Sequence, residues 1–539
     1  MNLLQAILCG GIYWFYAVYF GYPLWGICAQ PLVTCTIVGA IMGDVATGAL
    51  CGAAIAPLYI ALSGAGGVVT ADKSASSIIP TAMVIAGNLD IAAGIALAVP
   101  VSLLFSQIHN VLKLVNTYIV HRCDAAAEKG NDKAISFNAV ILVNLVKILL
   151  YWVPMAVILY VGAMSVDGLA EQIPAWLSNG LSVVSTLMPA LGIGMTMVVI
   201  GRTDLLPFFV AGFFLAAYTE IANMPLLILG LVLAYLYVVF TKEKNADDGA
   251  VFNTTQAQEP QKRLLTKRDV VRTYNRWWST VDMSLSFERL QGMSFCFSMI
   301  PNLRKLYKDD PEEFKAALKR HLQFFNTEGA WGAAIHGIVL SMEEQRALGA
   351  PISEDSITSV KVGLMGPFAG IGDTIDWSIF IPMTFMFFIP YQQTGAWWPG
   401  FVAIAIVIVT MYLVGRYLCL LGYRLGTQAA LKILEGNFVK RLISFFGVLG
   451  LFMLGGLAVS YVDVSVKVVM ASGQGFVSIQ KDILDAILPK LPTFLTVLGV
   501  YGALRKDRKN LIKLSFVLIG VGLVLGALGI LGTPVIPAV

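Results

Sequence analysis

Residues 205–240, LLPFFVAGFFLAAYTEIANMPLLILGLVLAYLYVVF, are almost wholly apolar, and they give way at once to residues 241–262, TKEKNADDGAVFNTTQAQEPQK. The first stretch is long enough to cross a hydrocarbon layer of about 30 Å, and the second is too polar to enter one. Apolar runs of the same kind lie on both sides: Ile91–Phe105, Ala139–Val161, Phe401–Leu421, Leu442–Val459 and Leu514–Leu531. Met1–Tyr22 has neither the basic start nor the small-residue cleavage site of a secretory leader, and reads as a first membrane helix. Composition agrees: 57% of the residues are hydrophobic and 13% charged, with a mean hydropathy of +0.76. The chain is expected to be an all-α polytopic membrane protein. It falls into a membrane domain over 1–240, a cytoplasmic linker over 241–262 and a second membrane domain over 263–539.

Charge is informative by its placement. Basic clusters at Lys262–Arg276, Arg304–Lys308, Lys315–Arg320 and Arg505–Lys513 put those loops in the cytoplasm by the positive-inside rule. A net charge of +4 spread along loops is no nucleic-acid footprint. The seven cysteines contain no C-x-x-C pair, so neither a disulfide framework nor a zinc site is expected. No ATP-binding, zinc-protease or serine-hydrolase motif is present, and no metal, cofactor or catalytic nucleophile is assigned. The second domain opens with amphipathic segments over 265–326. Among them Asp310-Pro311-Glu312-Glu313 joins a capping acid, a first-turn proline and first-turn acids into a helix start.

Each domain carries an apolar run interrupted by glycines and an acid. One is Gly39-Ala-Ile-Met-Gly43-Asp44-Val-Ala-Thr47-Gly48, followed by Ser63-Gly64 and Asp72-Lys73. The other is Gly363-Leu-Met-Gly366-Pro367-Phe-Ala-Gly370-Ile-Gly372-Asp373-Thr374-Ile-Asp376-Trp377. Glycine and proline open the helical ladder, and open backbone at membrane depth belongs where protein buries it or a polar cavity needs it. Broken or re-entrant helices paired between two halves point to a transport site. Gly43, Asp44, Gly48, Gly366, Pro367 and Gly372 are therefore read as helix-break residues, with Asp44 and Asp373 as caps. Asp72 and Asp376 stay open between a cap and a pathway group. Phe324-Phe325-Asn326-Thr327-Glu328-Gly329 sets polar side chains beside aromatics, which suits a sugar and equally suits a solvated helix end. His336 is a secondary candidate; His109, His121 and His321 read as ordinary.

Longer motifs add a resemblance. Ser286-Phe-Glu288-Arg289-Leu-Gln291-Gly-Met-Ser-Phe-Cys296, Arg320-His321-Leu-Gln-Phe-Phe-Asn326-Thr327, Glu343-Glu344-Gln345-Arg346 and Lys361-Val-Gly-Leu-Met-Gly366-Pro367 closely resemble the IID component of mannose/fructose/sorbose-family phosphotransferase systems. Pro31–Gly39, Gly43–Gly48 and Pro207–Gly212 resemble its IIC partner, here fused to IID. The resemblance implies two pseudo-repeated inverted halves, each a scaffold with a mobile core, and elevator-type sugar transport across a bacterial plasma membrane. It implies a homotrimer in membrane lipid and phosphorylation by soluble IIB and IIA proteins. Motif position and polar chemistry in apolar segments put candidate substrate contacts at Ser63, Gly64, Asp72, Lys73, Glu288, Gln291, Asn326, Thr327, Glu328, His336, Asp373 and Asp376. The chain departs from the family pattern at Gln30 and Ala56, at Glu328 where Gln is common, at Thr374 where Pro is common, and at Asp376 where an aromatic is expected. These changes suggest an amino sugar or amine-bearing sugar conjugate in place of mannose. The competing readings are an ion-coupled secondary sugar transporter and a sugar-sensing scaffold.

Overall fold

The computed structural model describes residues 1–18, 22, 28–59, 72–166, 174–187, 189–200, 203–219, 221, 223–244, 263–426, 437–472, 475–507 and 510–532. Ser63, Gly64 and most of the 241–262 segment lie outside them. The first half comprises α1 (Leu3–Val18), α2 (Pro31–Met42), α3 (Val45–Tyr59), α4 (Lys73–Gly87), α5 (Ile91–Glu128), α6 (Asp132–Gly162), α7 (Ala175–Leu187), α8 (Pro189–Ile200), α9 (Leu206–Thr219) and α10 (Asn223–Lys244). The second comprises α11 (Lys267–Thr280), α12 (Gly292–Leu306), α13 (Pro311–Leu322), α14 (Ala333–Ala347), α15 (Glu354–Gln392), α16 (Pro399–Leu425) and α17 (Asn437–Tyr461). A short antiparallel hairpin, β1 (Val469–Ser472) and β2 (Gly475–Ser478), follows, then α18 (Ile479–Ile487), α19 (Leu491–Lys506) and α20 (Asn510–Ala527). Among the described residues α6, α15 and α16 are each long and apolar enough to span a membrane, and α18 with α19 forms a further candidate bent by 66°. The protein is an all-α polytopic membrane protein.

Two apolar stretches fold differently from a simple reading of their length. Residues 205–240 hold two helices, α9 and α10; α10 begins at Asn223 with Pro225 in its first turn, where a missing N–H costs least. Gly363–Trp377 is the opposite case. Expected as an interruption, it lies inside one continuous helix, α15, whose winding widens to π-helical over Asp373–Phe380. The four glycines and Pro367 cost about 7 kcal/mol relative to alanine, less than leaving several backbone groups unpaired, at several kcal/mol each, in a medium without water. The ladder therefore loosens without breaking.

The break at Gly43-Asp44 is present. Gly43 ends α2 at φ 91°, in the left-handed region glycine favours, and Asp44 Oδ1 accepts the Thr47 N–H at 3.0 Å to start α3. The hairpin closes tightly because a Cβ on Gly48 would stand 2.5 Å from the Cys35 carbonyl oxygen. Gln392, at the end of α15, sews this hairpin to the second half, its Nε2 donating to the Leu32 oxygen at 2.7 Å and to Thr36 Oγ1 at 3.1 Å. Farther along, α9 of the first half packs on α17 of the second. A Cβ on Gly455 would stand 2.1 Å from the Phe209 carbonyl oxygen, so the two helices meet backbone to backbone.

The amphipathic segments form as their termini dictate. Thr266 and Asp269 make a reciprocal capping box at the start of α11, and Asp310 accepts the Glu313 N–H at 3.0 Å at the start of α13. α11 buries Val270, Tyr274, Trp277 and Trp278 and exposes Lys267, Arg268 and Arg272.

Candidate functional site

The loop between α13 and α14 is built from both ends. Gln291 is buried at the start of α12. Its Oε1 accepts the Thr327 N–H at 2.8 Å, and its Nε2 donates to the Thr327 oxygen and to Asp282 Oδ1, both at 2.9 Å. Trp277 Nε1, from α11, donates to the Gly329 oxygen at 2.8 Å. Asn326 is half-buried beside Met365 of α15. These bonds fix a short irregular segment whose backbone would otherwise compete for water.

Glu328 sits at the centre of that segment and is 2% exposed. Its carboxylate accepts the Ala330 N–H at 2.9 Å and the Trp331 N–H at 2.6 Å, capping the turn that leads into α14. It also accepts from Tyr22 Oη at 2.7 Å. Tyr22 belongs to the first half, so this bond joins the two halves at the candidate site. Tyr22 in turn accepts from Trp377 Nε1 at 2.6 Å and packs edge-on against Trp278 and Trp377, with ring centres 5.5 and 5.6 Å away. α15 comes close enough because Gly372 has no side chain: a Cβ there would stand 2.5 Å from Glu328 Cβ.

Asp376 lies one turn beyond Gly372, in the π-helical part of α15. Its Oδ1 accepts from Trp331 Nε1 at 3.3 Å, while its Oδ2 is buried and has no hydrogen-bond partner among the described residues. Trp331 joins the two acids, its backbone N–H donating to Glu328 and its indole N–H to Asp376. Among the described residues, no Lys, Arg or His bonds to either carboxylate. The result is an aromatic enclosure of Tyr22, Trp278, Trp331 and Trp377 around two acids held by neutral donors. Such a setting can bind a polar ring through its hydroxyls and stack its apolar face, and can hold a cation against the rings.

The other expected contacts fall elsewhere. Asp72 caps α4 through the Ala75 N–H at 2.8 Å, accepts from Tyr13 Oη at 2.5 Å and lies 3.0 Å from His109 Nε2, which continues through Nδ1 to Tyr151. This network occupies a separate core with α1, α4, α5 and α6. Lys73 follows at the first position of α4. Glu288 is partly exposed at a rim with Arg289 and His121, at 3.2 and 3.3 Å. His336 is fully buried in aromatic packing, its ring 4.2 Å from Trp277 and 4.3 Å from Phe295. Asp373 follows Gly372, the residue of α15 that abuts Glu328. Gly366 and Pro367 lie on an exposed face of α15.

Sequence reasoning missed five residues of this region. Tyr22 lay in a segment read only as apolar, Trp377 closed a quoted motif without being assigned a role, and Trp278, Asp282 and Trp331 stood outside the quoted motifs. Two histidines read as ordinary are also buried: His109, in the network above, and His321, 2.8 Å from Glu343 Oε1.

Residues 3–236 match the family described as the PTS system sorbose-specific IIC component, and residues 264–531 match the PTS system mannose/fructose/sorbose family IID component. The chain is similar to the mannose-specific EIID component of Escherichia coli (strain K12), 35% identical over 286 residues, covering 52% of this chain and 99% of that protein. It is likewise 35% identical over 278 residues to the sorbose-specific EIID component of Lacticaseibacillus casei, covering 50% of this chain and 96% of the relative. The mannose-specific EIIC component of Escherichia coli (strain K12) is 32% identical over 221 residues, covering 41% of this chain and 83% of its own length.

Proposed function

This chain belongs to the mannose/fructose/sorbose family of phosphotransferase-system membrane components, and from that premise we propose that it holds its sugar at the Tyr22–Glu328–Asp376 junction. It is a multi-pass sugar permease of the bacterial inner membrane that unites IIC-like and IID-like parts in one chain. In this reading residues 1–240 and 263–539 are its two membrane domains, and 241–262 a cytoplasmic linker. The cores of the halves carry the sugar inward by an elevator movement. A phosphohistidine on soluble IIB, recharged by IIA, then gives its phosphoryl group to a sugar hydroxyl, and the IIB histidine leaves with its nitrogen free. Three copies assemble in the membrane.

The observation that carries the substrate reading is the meeting of Glu328 and Asp376, the two acids that replace the family's usual Gln and aromatic residue, in one aromatic enclosure. Burying two carboxylates without a counter-charge is costly, and a substrate that brings an ammonium group offsets that cost. An amino sugar or amine-bearing sugar conjugate fits this chemistry better than a neutral hexose. Gln291, Asn326 and Thr327 supply neutral polar partners beside it, and Trp278 and Trp377 offer ring faces.

The test is uptake by right-side-out vesicles carrying the chain, loaded with phosphoenolpyruvate and the soluble phosphotransferase proteins, with glucosamine and glucose offered in competition. Accumulation of phosphorylated glucosamine in excess over glucose phosphate is expected. Unmodified sugar that accumulates without the soluble proteins and collapses with the ion gradient would replace this reading with ion-coupled transport, for which the buried acids would be proton sites.

A further inference from the structure

The exposed face of α11 presents Lys267, Arg268, Arg272 and Arg276, and Arg416 of α16 approaches it to close a groove of about 720 Å³. A second hollow of about 700 Å³ continues from it, sharing Arg272 and Arg276 and adding Lys133 and Arg304. Asp132 lines the second hollow and pairs there with Arg304, and Asp269 pairs with Lys305. Among the described residues, Lys267, Arg268, Arg272 and Arg416 have no carboxylate within 4 Å. Arg276 stacks 3.7 Å over the Phe297 ring and donates to the Phe297 oxygen at 3.0 Å, so it forms part of the groove floor. Burial, together with the neighbouring Arg272, lowers its pKa to about 10. The lining of the first groove holds five basic side chains and no acid; like charges so gathered repel one another, and an anion in the groove relieves that repulsion.

The position of the groove selects among anions. Trp397 and Trp398 are exposed just ahead of α16, as aromatic residues are at a membrane boundary. From Trp398 to Arg416 the helix rises about 27 Å, close to the roughly 30 Å thickness of the hydrocarbon core. Between them Phe401, Ile406, Val409 and Leu413 stand exposed along the outside of α16, and Tyr417 continues the stripe just past Arg416. A second exposed stripe runs along α6 through Phe137, Ile141, Leu145 and Leu149, and its first two members line the second hollow. Two lipid-facing stripes therefore end at one basic groove on the boundary opposite the tryptophans.

We propose that this groove is a binding site for the phosphate headgroup of an anionic phospholipid, with the acyl chains lying along α16 and α6. Arg272 and Arg416 hold the phosphate, and Lys267 and Arg268 extend the basic surface at the headgroup level. The opposite face of α11 carries Trp277 and Trp278, which hold the Gly329 oxygen and pack against Tyr22. A bound lipid thus steadies the helix that forms one wall of the candidate sugar site.

The experiment titrates the purified full-length chain in neutral detergent with phosphatidylglycerol or phosphatidylcholine of matched acyl chains, reading bound lipid by native mass spectrometry. Phosphatidylglycerol is expected to bind at least about tenfold more tightly. The double variant Arg272→Gln/Arg416→Gln should lose that preference while keeping its melting temperature. Arg272→Lys/Arg416→Lys should retain most of it. Equal binding of the two lipids by the parent chain, or an unchanged preference in the Gln variant, overturns the proposal. Displacement of the lipid by equimolar inorganic phosphate also overturns it, making the groove a free-anion site. A Gln variant that keeps its lipid preference but is no longer phosphorylation-competent with IIB would make the groove a docking face for that protein instead.

Discussion

Glu343 and the Glu328–Asp376 pair are carboxylates buried in the same half, held by opposite means. Glu343 of α14 receives Arg320 through two bonds of 2.7 Å, His321 at 2.8 Å and Tyr307 at 2.5 Å. Arg320 continues to Glu313, and Lys361 donates to the Arg320 carbonyl oxygen at 2.8 Å. Glu328 is held by two backbone N–H groups and a tyrosine, and Asp376 by one indole at 3.3 Å. A carboxylate matched by a guanidinium fork is saturated and serves as a fastening between helices. One held by neutral donors keeps its attraction for a cation from outside. The same residue type thus acts as scaffold in one place and, in the proposed reading, as recognition in the other.

The contrast breaks most sharply if Glu343→Gln proves harmless. That substitution leaves Arg320 buried without its carboxylate, and a loss of about 3–5 kcal/mol is expected, read as a large fall in melting temperature or a loss of folded protein in detergent. A variant that melts with the parent would mean that the ion cluster is not what fastens α13 to α14. Acid should act on the same cluster. Burial works to raise the Glu343 carboxyl, but the bonds from Arg320 and His321 outweigh it and hold it well below the ordinary carboxylate range. Burial lowers His321 to about 4 against the pull of Glu343. A depressed histidine gives stability that is full above its ordinary value of about 6.5 and is lost as pH falls towards the folded value, because the unfolded chain takes the proton first. Glu343 adds loss in the same direction at still lower pH. Melting temperature should therefore fall steadily between about pH 6.5 and pH 4; Glu343→Gln, which removes the group that pulls His321 upward, should keep that fall and abolish only the further loss at lower pH.

At the acid pair the expected effects are on selectivity. Asp376→Phe should leave melting unchanged and shift the preference between glucosamine and glucose by about tenfold towards glucose. Equal uptake ratios in parent and variant would remove Asp376 from recognition. The smallest change is Tyr22→Phe, which deletes the bond to Glu328 and the acceptor of Trp377. It should cost about 1 kcal/mol, seen as a severalfold weaker apparent affinity in vesicle uptake with little change in rate at saturating sugar.

Much of this was written in local chemistry. Gly43-Asp44 states its own helix break, because a left-handed glycine and a capping acid need no distant partner. Asp310-Pro311 starts its helix for the same kind of reason. Glu328 and Asp376 could be marked by residue type, as acids in apolar surroundings. Their meeting could not, since Tyr22 is 306 positions from Glu328 and Trp377 another 49 beyond it. Asp72 shows the reverse limit: an acid ahead of a helix reads alike whether it caps or binds, and only the surrounding Tyr13, His109 and Tyr151 show how it is held.

The sequence by itself determined the membrane class, the two-part organisation and the family, because hydropathy, charge placement and motif order are properties of neighbouring residues. Tertiary structure alone decided that Gly363–Trp377 stays helical, that Gly455 admits the Phe209 backbone, and that two acids from separate segments share one aromatic enclosure. Those outcomes depend on which backbone groups find partners and which surfaces touch, and both are settled only when distant parts of the chain pack together.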